Sequence, residues 1–238
     1  MNRKPYIVLL AGVLAAVVCV RLGFWQLDRL AQRRGANARV AAQLSRPVLG
    51  ADSVAAFAVA PDALDYRRAR LTGRFDFTRE IIVVARPLDG RPGVHVVTPL
   101  RLADGSAVLV ERGWVPAADG RTADLGALVE QETASVEGVL LVPRGPGSAG
   151  EESWPLHVRG IDPALLGPRF PYPLLPVILR RADSTHSILR PVPLPERTAG
   201  PHLSYAIQWF AFALIALVGS VALTRALRRQ AMPDDAGR

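Results

Sequence analysis

The chain has 238 residues, half of them apolar, with 20 Gly, 20 Pro, four His and one Cys, and a formal charge of +8. That length supports one sizeable core plus accessory segments, and the lone Cys19 excludes an internal disulfide or a cysteine-based zinc or iron–sulfur site. The charge excess would suit nucleic acid only if it lay on a folded domain, and it does not: residues 1–40 hold seven basic residues against one acidic, residues 222–238 four against two, and residues 41–221 eighteen of each. No nucleic-acid partner is expected.

The charge instead flanks two apolar runs. Sixteen uncharged residues lie between Lys4 and Arg21, and Leu22 to Leu27 resume the run before Asp28. A helix crosses hydrocarbon in about 20 residues, so 6–25 suffices as a first span if Arg21 snorkels, with Trp25 in the interfacial aromatic belt. An uncleaved anchor is favoured over a signal peptide, because no small-x-small cleavage site follows closely. Between Arg197 and Arg225 lie 27 uncharged residues, whose core from Leu203 to Leu223 reads as a second span. Basic residues flank both sides of the pair almost equally, so charge alone does not set the orientation.

This divides the chain into a tail (1–5), a first transmembrane helix (6–25), an intervening domain (26–202), a second transmembrane helix (203–223) and a tail (224–238). Within the domain, 28–44 carries an imperfect helical stripe interrupted by Gly35 and is read as a continuation of the first span. After it the pattern turns to β: 67–75, 80–87, 93–102, 106–115, 134–142 and 175–181 are rich in Val, Ile and Leu. Asp89-Gly90, Asp104-Gly105 and Asp119-Gly120 supply turns. Short helices are expected near 124–132 and 162–166. The predicted class is therefore an α+β membrane protein, two transmembrane helices as a hairpin flanking an extramembrane, mainly antiparallel β-domain, as a sheet or small barrel.

Chemistry is sparse. There is no G-x-S-x-G elbow, no H-E-x-x-H and no phosphate-cradling glycine loop, so no catalytic residue or metal site is nominated. His95 alternates with valines in a strand and reads as a solvent-facing or hydrogen-bonded structural histidine; His157 and His186 lie in weakly patterned segments. His202 differs, since it stands at the mouth of the second span with Tyr205, Ala206 and Trp209 on one helical face. An imidazole with aromatic rings at that spacing suits a haem iron and its macrocycle, and suits equally an interfacial belt residue bound to a headgroup or carbonyl. In a hairpin Trp25 lies at the same membrane face as His202, where a flat ligand would touch both. Arg112 and Trp114, within Arg112-Gly113-Trp114-Val115-Pro116, read first as strand-end architecture and second as a partner-binding pair.

Five phrases occur in order: Gly23-Phe24-Trp25-Gln26-Leu27 with Arg29; Leu71-Thr72-Gly73-Arg74-Phe75; Gly93-Val94-His95-Val96-Val97-Thr98-Pro99-Leu100; Leu109-Val110-Glu111-Arg112-Gly113-Trp114-Val115-Pro116; and His202-Leu203-Ser204-Tyr205-Ala206-Ile207-Gln208-Trp209-Phe210. The set resembles the surfeit locus protein 1 family, assembly factors for haem-copper cytochrome c oxidase. The likeness runs from the first anchor to the second and is weakest over 120–200. It implies a non-enzymatic, multi-pass protein of a bacterial or mitochondrial inner membrane, with both termini in the cytoplasm or matrix. Its implied partners are the lipid bilayer, the oxidase catalytic subunit and the proteins of haem a synthesis and insertion. The resemblance also implies that haem a is a transient ligand, contacted by the histidine at position 202. The chain departs from the family pattern at Ala199-Gly200-Pro201 and at Glu111, where asparagines are common. Two other classes remain open on the residues alone: a tethered ligand-binding or sensor β-domain, and a membrane-anchored enzyme.

Overall fold

A computed structural model describes residues 3–148, 153–182, 189–195 and 197–230. His186 lies outside the described residues. The chain forms two compact units, the terminal segments Met1–Arg39 and Glu196–Arg238 as one and Val40–Pro195 as the other. The first is built on α1 (Lys4–Ser45) and α4 (His202–Gln230). Two more α-helices, α2 (Ala51–Phe57) and α3 (Pro163–Leu166), lie in the second unit.

The apolar first half and the charged stretch after Asp28 form one helix, α1, of 42 residues, running through Gly35 as the continuation reading of 28–44 expects. At ~1.5 Å per residue it is about 63 Å long, twice the ~30 Å of a bilayer's hydrocarbon. Both α1 and α4 are long and apolar enough to cross a membrane. Their side chains are distributed inside out relative to a water-soluble bundle. The residues buried within the unit are small for the most part, Ala16, Gly23 and Leu30 on α1 and Ala206, Ala213, Ser220 and Thr224 on α4. The large apolar residues Ile7, Leu10, Leu14, Val17, Ile207, Leu214 and Ile215 stay outside. Small residues spaced by sevens let two helix backbones approach, and hydrocarbon rather than water is the solvent that suits the exposed face. The contact is close enough that a Cβ on Gly12 would overlap Ser220. Thr224 Oγ1 also donates to the Pro5 carbonyl at 3.2 Å, so the helices run antiparallel.

The second unit is organised by seven strands, β1 (Arg68–Phe75), β2 (Ile81–Val83), β3 (Gly93–Arg101), β4 (Ala107–Pro116), β5 (Thr133–Leu141), β6 (Leu156–Val158) and β7 (Leu174–Arg181). Their order is β1-β5-β7-β4-β3-β2-β6, and β3 also pairs with β1. Five strands therefore close a ring, β1-β5-β7-β4-β3-β1. Closure is possible because β3 uses one edge twice: His95 to Val97 pair with β2, and Leu100 and Arg101 with Phe75 and Arg74 of β1. Gly73 allows the strands to converge there, since a Cβ at that position would meet the Arg101 carbonyl.

The expectation of a mainly antiparallel domain is corrected in one respect: the sheet is mixed. β4 and β7 run parallel, as do β2 and β6. A parallel pair needs a long crossover, and here the 57 residues between β4 and β7 supply it, β5 and β6 included. β6 lies in a segment with no strand signal. The β-pattern of 80–87 yields only Ile81–Val83, and the helix expected over 124–132 is a single 3₁₀ turn, Leu125–Leu128. The turn expected at 162–166 forms as α3 with Asp162 as its N-cap.

Alternation along the strands separates the two larger apolar clusters from each other. Ala69, Leu71, Leu100, Val108, Val110, Val136, Leu140, Val177 and Leu179, from all five ring strands, fill one cluster. Ile81, Val83, Val97, Ala107, Leu109, Leu156, Val158, Leu166 and Phe170 form the other on the outer face of β2, β3 and β4. Adjacent β4 residues enter different clusters, as a period of two requires.

Candidate functional site

Three polar constellations stand out. The first belongs to the helix pair. Gly200, at φ +70°, turns the chain into α4, whose first residue is His202. His202 Nδ1 lies 2.8 Å from Gln26 Oε1 on α1. An amide oxygen only accepts, so Nδ1 is the donor, and in the neutral ring Nε2 keeps the lone pair. A ring held in this way presents Nε2 as a ligating nitrogen. The Arg29 guanidinium sits over the Trp25 ring, 5.7 Å from its centroid, and Trp209 packs edge-on against Phe212. Tyr205 and Trp25 are each about half exposed, at 46%. The structure thus joins His202 to Gln26, a residue of the first ordered phrase that sequence reasoning did not single out. The signal available was its place beside Trp25, opposite the start of the second span.

The second constellation is buried at one end of the strand ring. The β3–β4 register places Gly113 opposite Val96 and Glu111 opposite Val97, leaving Arg112 as an extra, bulged residue. The bulge sends Arg112 toward the ring interior, where its side chain has no exposed surface. It donates to Glu80 Oε1 and Glu130 Oε1, both at 2.9 Å, and to the Leu128 carbonyl. Thr98 donates to Glu80 at 2.7 Å, Arg181 donates to Glu130 at 2.6 Å, and Phe75 and Phe77 flank the guanidinium. Two guanidiniums and two carboxylates balance, as burial demands. Burial pushes the Glu80 carboxyl above its ordinary pKa despite Thr98 and Arg112. Burial acts the same way on Glu130, but its bonds to Arg181 and Arg112 outweigh it and hold that carboxyl low.

Trp114 is also buried, at 2% exposure; its Nε1 donates to the Arg86 carbonyl at 2.6 Å and Arg190 stacks on its ring. The two residues read alternatively as a partner-binding pair therefore have their side chains inside the domain. Their contacts support the strand-end reading.

The third constellation lies on the outer face of the ring. Glu111 accepts from Arg180 Nε at 2.5 Å and lies 2.6 Å from His95 Nδ1. The carboxylate is buried, which by itself raises its pKa, yet the His95 and Arg180 bonds hold it below the usual range. These residues line a cleft of about 610 Å³, to which Arg86, Arg144, Arg159 and Tyr66 also contribute. Tyr66, and Ala85 next to Arg86 in the chain, hold φ near +60°, a conformation that costs free energy in a non-glycine residue and concentrates at functional sites. Sequence reasoning placed His95 as structural and missed the cleft, because its walls come from segments as distant as 65–66 and 195.

Among the described residues no group of three or more His, Cys, Asp or Glu is arranged to hold a metal ion. Fold and site together define a small closed β-domain joined in sequence to two helices long and apolar enough to cross a membrane. The family model described as "SURF1 family" matches residues 13–214, and the chain belongs to that family. Among its relatives, a SURF1-like protein of Monosiga brevicollis is 30% identical over 88% of this chain and 84% of its own length. A SURF1-like protein of Rickettsia felis is 30% identical over 44% of this chain, an alignment spanning only 45% of that relative. An uncharacterised SURF1-like protein of Mycobacterium bovis is 25% identical over 87% of this chain and 79% of its own. Membership is consistent with a role in cytochrome oxidase assembly rather than catalysis.

Proposed function

We propose that the protein is an assembly factor for haem-copper cytochrome c oxidase that receives haem a at the membrane boundary and presents it for insertion into the catalytic subunit. It acts in a bacterial inner membrane or its mitochondrial counterpart, with both termini on the cytoplasmic or matrix side. The observation that carries the reading is the His202–Gln26 hydrogen bond, which engages Nδ1 and leaves Nε2 as the ring nitrogen for iron at the start of an apolar helix. Haem a is cargo here. Tyr205, Trp209 and Trp25 supply aromatic surface for its macrocycle, and a single axial histidine suits a ligand that must later be released.

The test is expression of the full chain in a cell that makes haem a, purification in detergent and an absorption spectrum. Wild type is expected to carry haem a, His202→Ala to lose it, and Gln26→Leu to reduce occupancy because the ring loses its orientation. A wild-type preparation with no haem a above background would overturn the cargo reading, and a spectrum indifferent to His202→Ala would remove the proposed ligand.

A further inference from the structure

We propose that the outer-face cleft of the β-domain binds a soluble amphiphilic anion, a carboxylate-bearing molecule with a compact apolar body, at a site separate from the helix pair. The cleft's own carboxylates are already committed. Asp65 accepts from the Val142 backbone N–H at 3.0 Å and from Arg144 at 2.9 Å, and both oxygens of Glu111 are taken by His95 and Arg180. Two of its cations are spent on them, Arg144 on Asp65 and Arg180 on Glu111, and two are not. Four arginines line the space; Arg86 reaches only the Arg159 carbonyl, at 2.5 Å, and the Arg159 guanidinium has no ion pair among the described residues. An unmatched pair of guanidiniums in a concave site is a ready fork for a carboxylate.

His95 adds directionality. Glu111 holds its Nδ1, so Nε2 is the ring nitrogen left for the cleft, and the Arg180 bond prevents Glu111 from swinging away. The rest of the lining is apolar, with Val83, Ile161 and Ile178 together with prolines 143, 146 and 195. A volume of about 610 Å³ lies within the range of small-molecule sites, and an apolar wall with two arginines in its lining that have no ion pair among the described residues suits an anion with an organic body better than a bare oxyanion.

The experiment uses the full chain in phosphatidylcholine nanodiscs, titrated calorimetrically with naphthalene-2,6-dicarboxylate, its neutral dicarboxamide and inorganic phosphate. The dicarboxylate is expected to bind once per chain, the dicarboxamide not to bind, and phosphate to compete only at far higher concentration. Arg159→Ala, an exposed change that breaks no ion pair among the described residues, should weaken the dicarboxylate about tenfold or more. His202→Ala should leave it unchanged, which separates this site from the haem reading. Absence of dicarboxylate binding, indifference to Arg159→Ala, or phosphate binding equally tightly would each overturn the proposal. Loss of the titration in phosphatidylglycerol nanodiscs would identify a lipid headgroup as occupant and overturn the soluble ligand.

Discussion

Arg112 carries a full charge where water does not reach, and its partners decide whether it holds the domain together or breaks it. Removing it leaves the buried Glu80 with Thr98 but no cation among the described residues and Glu130 with Arg181 alone, so Arg112→Ala is expected to cost about 3–5 kcal/mol in denaturant unfolding of the full chain. Arg112→Lys should recover little, because one ammonium cannot reach Glu80, Glu130 and the Leu128 carbonyl together. Glu111 makes a pH prediction. Its carboxyl is held below the ordinary 4.5, so the unfolded chain binds its proton more readily. The stability it contributes is present above about pH 4.5 and is lost as pH falls through the folded value. Glu80 has the opposite sign: burial raises its pKa, so its own titration removes stability as pH rises from 4.5 through the folded value. Thermal unfolding followed by near-ultraviolet circular dichroism should show Glu111→Gln less stable than wild type at pH 7 but less sensitive to acid between pH 4.5 and 3.

At the scale of elements, the bulge in β4 matters most. Glu111 and Trp114 are three residues apart, and an unbroken strand would put them on opposite faces. The extra residue restores them to one face, since Trp114 lies opposite His95 and Glu111 opposite Val97. A deletion of Gly113 should therefore displace Glu111 from His95 or Trp114 from its slot, seen as loss of the buried-tryptophan fluorescence. In the helix pair the governing feature is size. Gly12→Val has no room against Ser220, so the distance between spin labels at Leu14 and Val218 should lengthen and broaden, whereas Gly35→Ala, which meets no neighbour, should leave it unchanged. The strand segments themselves were legible because Val, Ile and Leu runs were punctuated by Asp-Gly turns. β6 was not, because Leu156–Val158 is only three residues long and is extended by virtue of pairing with β2.

For the whole molecule, the assembly reading predicts that deletion, in a cell with no second copy of the family, lowers haem a oxidase activity and the haem a absorbance of membranes. Restoration by the wild-type chain and failure by His202→Ala would tie the phenotype to the helix pair. The division of charge was sufficient to locate two apolar helices, because solvation of a charge is a local property that composition reports directly. The ordered phrases were sufficient to recognise the family. The closure of the ring, the parallel β4–β7 pair, the Arg112 network, the His202–Gln26 bond and the Arg-rich cleft required tertiary structure. Each joins residues from distant parts of the chain, 176 positions apart for His202 and Gln26. Apolar periodicity states that a residue is buried or exposed, but it carries no information on which distant group will meet it.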